Sequence, residues 1–151
     1  MKKLSLVIIL LAVLFCGNAP AKGGSFGLGV ILGEPTGLSF KSWTGSNTAI
    51  DGAAAWAFVN EGAVHLHVDY LFHNFSLIKV ESGKFPVYFG LGGRVKLAKE
   101  TRVGVRIPLG LEYIFTGAPF DIFLEIVPLL DLIPSTEFEV NGAIGIRYFF
   151  Q

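Results

Sequence analysis

The sequence predicts an all-β fold, an eight-stranded antiparallel up-and-down transmembrane β-barrel formed after removal of a signal peptide. Three observations carry this reading. First, residues 102–115, R-V-G-V-R-I-P-L-G-L-E-Y-I-F, alternate strictly. Val103, Val105, Ile107, Leu109, Leu111, Tyr113 and Phe115 fall on one side, and Arg102, Gly104, Arg106, Pro108, Gly110, Glu112 and Ile114 on the other. A period of two means a strand, and this one is more than twice the usual length of about 5–6 residues. Second, apolar residues make up 52% of the chain, charged ones only 16%, and there are 19 glycines, a greasy balance for a small soluble domain. Third, the alternation recurs along the chain with no run of about 18 apolar residues. An exported chain of this kind crosses a membrane only as a closed barrel, with its large apolar face on lipid and its small or polar face inside.

Residues 1–21 read as the signal peptide: Lys2 and Lys3 form a basic start, 4–15 are apolar except for Ser5, and Ala19-Pro20-Ala21 is a cleavage site. The apolar stretch is short for a spanning helix, which needs about 20 residues. Cys16 follows Phe15 rather than a small residue, a poor match to a lipid-attachment site. The barrel domain is then 22–151, without cysteine and so without a disulfide framework. A formal net charge of zero gives no sign of a nucleic-acid partner.

The first strand spans about 25–33, with Phe26, Leu28, Val30 and Leu32 outward and Gly27, Gly29, Ile31 and Gly33 inward. Glu34-Pro35-Thr36-Gly37 is a tight turn. The second, 37–44, puts Leu38 and Phe40 out and Ser39 and Lys41 in; Trp43 breaks the phase, which suggests a bulge or a residue at the membrane interface. The third, 48–59, shows Ile50, Ala54, Trp56 and Phe58 on one face and Asp51, Ala53, Ala55 and Ala57 on the other. The fourth begins at 63, with Val64, Leu66, Val68, Tyr70 and Phe72 out and His65, His67, Asp69, Leu71 and His73 in. Residues 74–84 keep no single phase and read as a continued or bulged strand before a turn at 81–84. The fifth strand, 85–97, places Tyr88, Gly90, Gly92, Arg94 and Lys96 inside, and 102–115 is the sixth. The seventh, 120–133, carries Asp121, Glu125 and Asp131 inward with Phe123, Val127 and Leu129; Pro128 should mark a bulge or bend. The eighth, 137–150, directs Glu139, Asn141, Ala143, Gly145 and Arg147 inward and Phe138, Val140, Ile144, Ile146, Tyr148 and Phe150 outward.

The inward charges are the most informative constellation: Lys41, Asp51, His65, His67, Asp69, Arg94, Lys96, Arg106, Glu112, Asp121, Glu125, Glu139 and Arg147. An eight-stranded barrel is just wide enough to be filled by its own side chains. Both signs occur, and a buried unpaired charge is costly, so a paired interior network is expected. A narrow channel is the functional alternative. His65, His67 and Asp69 could be read as metal ligands, but successive positions on one strand face lie about 7 Å apart, and no metal or other cofactor is expected. A lipid-modifying hydrolase would need a nucleophile and base on the lipid side. No outward position holds a histidine and Ser42 has no evident partner, so no catalytic residue is assigned. Trp43, Trp56, Tyr70, Tyr113 and Tyr148 fit the aromatic girdles found at headgroup level. With both termini in the periplasm, the outward loops near 34–36, 60–62, 98–101 and 134–136 are short, which argues against a receptor or adhesin and leaves an extracellular protein partner unspecified.

The pattern resembles small outer-membrane barrels of the OmpA-transmembrane-domain type. Gly27-Leu28-Gly29-Val30-Ile31-Leu32-Gly33-Glu34-Pro35-Thr36-Gly37-Leu38 looks like the opening of a family of small outer-membrane barrels known from spirochaetes and other bacteria. Phe123-Leu124-Glu125-Ile126-Val127-Pro128, Asp131-Leu132-Ile133-Pro134 and Gly142-Ala143-Ile144-Gly145-Ile146-Arg147-Tyr148-Phe149-Phe150 look like its ending. Tyr148 and Phe150 resemble the terminal signal read by the outer-membrane assembly machinery, although Gln151 follows the last aromatic. The resemblance implies a bacterial outer-membrane location, with lipid and the assembly machinery as partners, and no chemistry. The expected role is structural or interaction, with a side-chain-filled polar interior. A soluble lipocalin-like barrel for a small apolar ligand is the alternative, distinguished by carrying its large apolar residues inside.

Overall fold

The computed structural model describes residues 26–34, 36–57 and 63–150, and only the backbone of residues 56, 57 and 63. The expected signal peptide, Cys16, Phe58 and Gln151 lie outside the described residues. Nine strands follow one another: β1 (Phe26–Gly33), β2 (Gly37–Trp43), β3 (Thr48–Ala57), β4 (Ala63–Asn74), β5 (Val87–Leu97), β6 (Arg102–Arg106), β7 (Leu109–Ile114), β8 (Phe120–Ile133) and β9 (Glu137–Phe150). All pairings are antiparallel; apart from β6 and β7, each strand pairs with the next in the chain, and β1 closes on β9 from Phe26↔Phe150 to Gly33↔Ala143. β6 and β7 share one place between β5 and β8, so the ring has eight staves, one of them interrupted.

The interruption falls within the stretch whose alternation first pointed to a barrel. Pro108 lacks an N–H to offer β5, although its carbonyl still accepts from Gly90 N at 3.0 Å. Across the other edge, Ile107 N donates to Pro128 O at 2.9 Å. The pairing with β5 and β8 resumes in the same register beyond the gap. Pro128 does not bend its own strand, contrary to expectation: β8 runs unbroken and Pro128 pairs with Val140 in continuous register. Its missing N–H faces the gap between β6 and β7, where no ladder bond is lost. The irregularity of β8 lies instead between Asp131 and Ile133, where the register against β6 shifts.

The ambiguous stretch after β4 is a loop, not a continued strand. Asn74 ends β4 because its side-chain Oδ1 accepts from Ser76 N (2.9 Å), Ser76 Oγ (2.8 Å) and Leu77 N (3.2 Å), a local turn that competes with the ladder. The loop returns through Lys84, which exchanges backbone bonds with Ile114 at 3.0 and 2.8 Å, and the Tyr113 hydroxyl donates to Ser82 O at 2.9 Å. β5 therefore begins at Val87, two residues later than expected.

The pleat sorts side chains as the alternation requires. Leu28, Val30, Leu38, Val68, Phe72, Leu91, Leu109, Leu124, Ile126 and Ile144 are all exposed on the outer face. The buried apolar cluster inside is small: Ile31, Ala53, Leu71, Tyr88, Phe123 and Ala143. Two inward glycines make room for it. Tyr88 lies across from Gly110 and Phe123 across from Gly145, and a Cβ at either glycine would overlap the facing ring. This is the arrangement by which an aromatic ring covers a bare strand position.

Candidate functional site

The bore is built from side chains that alternation sends inward, and it divides into tiers. Toward the end that holds Phe26 and Phe150, Lys41 of β2 reaches Glu112 of β7, with Nζ 2.7 Å from Oε2, and both are fully buried. His73 of β4 completes this tier. Its Nδ1 lies 3.1 Å from Asn47 O and its Nε2 2.7 Å from Lys41 Nζ. A carbonyl can only accept, so Nδ1 carries the proton and Nε2 accepts from the lysine. Arg147 of β9 donates to Asp121 through Nε (3.0 Å) and NH2 (2.9 Å), and to Glu112 through NH2 (3.2 Å). Its NH1 lies 3.7 Å from Asp51, and its guanidinium sits 4.1 Å from the centre of the Phe123 ring.

At mid-height, Arg106 of β6 brings Nε within 2.9 Å of Asp69 Oδ1 and NH2 within 3.6 Å of Glu125, which also accepts from the Tyr88 hydroxyl at 2.8 Å. Asp69 stands opposite Asp51 in the β3–β4 register, so two buried carboxylates are neighbours. Nearer the other end, His67 Nδ1 and His65 Nε2 are 3.3 Å apart, and His67 Nε2 is 3.8 Å from Asp69. Arg94 of β5 forms a fork on Asp131, with Nε 2.9 Å from Oδ1 and NH2 on Oδ2, and reaches Glu139 at 3.3 Å. Arg102 pairs with Glu137 at 3.1 Å. Lys96 and His65 are half-buried at this mouth and face each other across β4 and β5.

These contacts use every residue singled out for the interior except Lys96. They add His73, Asp131, Tyr88 and Arg102, which the alternation placed inward outside that set. Desolvation makes such pairs depend on geometry: each partner is stabilised chiefly because its loss would strand the other. Among the described residues, no group of histidine, cysteine and carboxylate side chains has the arrangement of a metal site.

The aromatic positions divide. Tyr70 and Tyr148 are outward and exposed, within clusters that include Phe72, Phe120 and Phe150. Tyr113 is half-buried against Phe85 and Phe115 and bound to the loop after β4. Trp43 is a correction. It lies on the inward side with Lys41, its ring 4.4 Å from that of His73 and 4.3 Å from Lys41 Nζ. In the two-residue period it is in phase with Lys41, and burying a cation against the indole face is favourable. Only the backbone of Trp56 is described. Phe149, between the two outward aromatics of the terminal strand, is buried and covers Gly27.

No protein of curated function matches this chain. Among solved structures, the N-terminal β-barrel domain of Pseudomonas aeruginosa OprF superposes with a TM-score of 0.61, at 14% identity, over 85% of this chain and 100% of that one. At that identity the likeness establishes the fold, a closed antiparallel β-barrel. A family model, protein of unknown function (DUF3996), matches residues 20–150, and the chain belongs to that family.

Proposed function

We propose that this chain is a bacterial outer-membrane barrel whose charge-paired interior plugs the bore, with a structural or interaction role. The observation that carries the proposal is the inversion of polarity: charges are buried inside, while Leu28, Leu124, Ile126 and Ile144 stand about half exposed on the outer wall. In water such a wall would be a large exposed apolar patch; against acyl chains it is the expected surface. A lipocalin-like carrier would have the reverse arrangement, since its apolar residues line the cavity. The likeness to the OprF domain supports the barrel fold on which this reading rests.

In this reading residues 1–21 direct export, and 22–151 form the barrel. Tyr148 and Phe150 present the assembly signal, Tyr70 and Tyr148 belong to an interfacial girdle, and the resemblance to spirochaete-type barrels is one of kinship. The plug consists of the Lys41–Glu112, Arg147–Asp121, Arg106–Asp69 and Arg94–Asp131 pairs stacked along the bore. An interaction role would fall to the short connections near 98–101 and 134–136, at the mouth opposite Phe26 and Phe150.

Heat-modifiable gel mobility after refolding into detergent micelles tests the membrane barrel, and planar-bilayer conductance tests the plug. A folded form that shifts on boiling and carries no current is the expected result. A chain that folds as a soluble monomer without detergent would overturn the location, and steady conductance would replace the plug with a narrow channel.

A further inference from the structure

The mouth opposite Phe26 and Phe150 holds a cavity of about 500 Å³, a volume in the range of small-molecule sites. Its two walls differ in kind. One is made of small groups, Gly33, Thr36 and Ala55. The other carries two cations, Arg94 and Lys96 of β5, with His65 of the adjoining β4 beside them. Glu139 and Asn141 of β9 lie between the walls, and Glu34 stands at the exposed rim.

The charges in this cavity are not equivalent. Six lysine and arginine side chains belong to the inward set of the strands, and five have a carboxylate at ion-pair distance. Lys41 has Glu112, Arg94 has Asp131, Arg102 has Glu137, Arg106 has Asp69 and Arg147 has Asp121. Lys96 has none among the described residues. It is flanked in register by His65 on one side and Arg102 on the other, so neither neighbour offers it an anion. Glu139 does not neutralise it, being drawn to Arg94 at 3.3 Å and Arg102 at 3.9 Å.

We propose that this mouth is a binding site for a small soluble anion bearing a carboxylate or phosphate group, which Lys96 holds as its counter-ion. The rest of the ligand lies against Gly33, Thr36 and Ala55, where short side chains leave the space. His65 borders the anionic group, and Asn141 offers an amide donor between the two walls. Arg94, held in its fork on Asp131, lines the same cavity beside Lys96. The site goes beyond the structural role proposed above and depends only on the barrel being folded.

The test is a titration of the isotope-labelled full chain, extracted in folded form from membranes into detergent and checked by heat-modifiable mobility. Acetate and inorganic phosphate are the probes, in separate titrations, each against sodium chloride at equal ionic strength. Saturable shifts of the Thr36, Ala55, Lys96 and Asn141 amides are expected with at least one probe, and the stronger of the two identifies the headgroup. Lys96→Gln should weaken that binding at least tenfold, and Lys96→Arg should retain it. Ala55→Phe, which fills the cavity from the uncharged wall, should abolish it. Non-saturating shifts, shifts equal to those with chloride, or undiminished binding in either Lys96→Gln or Ala55→Phe would overturn the site. Loss of heat-modifiable mobility in the unaltered chain would count against the membrane reading instead.

Discussion

Replacing Arg147 with methionine should be among the most damaging single changes in the barrel. The side chain is fully buried and stands at the junction of three carboxylates: Asp121 at 2.9 Å, Glu112 at 3.2 Å and Asp51 at 3.7 Å. Glu112 keeps Lys41 as a partner. Asp121 has no other cation at ion-pair distance among the described residues, so its charge would be stranded in the bore. Removing one partner of a buried ion pair costs about 3–5 kcal/mol, a large fraction of the 5–15 kcal/mol typical of a folded domain. The stacking of the guanidinium on Phe123 is lost as well, while methionine preserves most of the packing volume. The assay is equilibrium urea unfolding in lipid vesicles, followed by tryptophan fluorescence. Arg147→Met should lower stability by about 3–5 kcal/mol, and Asp121→Asn in the same chain should restore much of that loss by removing the stranded charge. A loss below about 1 kcal/mol, the size of an exposed ion pair, would show that the bore is solvated and would refute the plug.

Asp51 and Asp69 face each other across β3 and β4, and like charges directly opposite on one face destabilise the pairing. Asp51→Asn should therefore be neutral or stabilising in the same unfolding assay, in contrast to the loss expected for Arg147→Met. Leu124→Arg places a charge on the exposed outer wall. It should cost about 2–4 kcal/mol in vesicles if that position lies near the bilayer midplane; a cost near zero would mean that the wall does not face lipid. Gly145→Val puts a branched side chain where the Phe123 ring lies. It should lower stability by about 1–3 kcal/mol, and Phe123→Ala combined with it should recover part of the loss.

The faces of the strands were legible because a pleat is a local property. Leu28, Val30 and Leu32, or Ile144, Ile146 and Tyr148, reveal their shared side through the two-residue period alone. The ends of the strands were less so. Asn74 stops β4 with its own side chain, and loose periodicity over the next ten residues can be read as a bulged strand as readily as a loop. The two prolines of the interrupted stave show a related difficulty. Pro108 lacks the N–H that would face β5, whereas Pro128 lacks one that would face the gap; sequence shows the missing donor without showing which edge it belonged to. Trp43 was misplaced because its size and amphipathic character suggested a headgroup position, while its phase put it with Lys41.

By itself the sequence determined the fold class and the number of staves, since length, alternation and turn residues are encoded within each segment; it offered the inward charges as a set without partners. Tertiary structure alone decided how those charges pair. Lys41 meets Glu112 and Arg147 meets both Glu112 and Asp121 because ring closure, stagger and tilt bring β2, β7, β8 and β9 to one level of the bore. The same closure leaves Lys96 at the mouth with no carboxylate at ion-pair distance among the described residues. Which side chains meet across a barrel depends on the register of every intervening strand, and no local pattern carries that information.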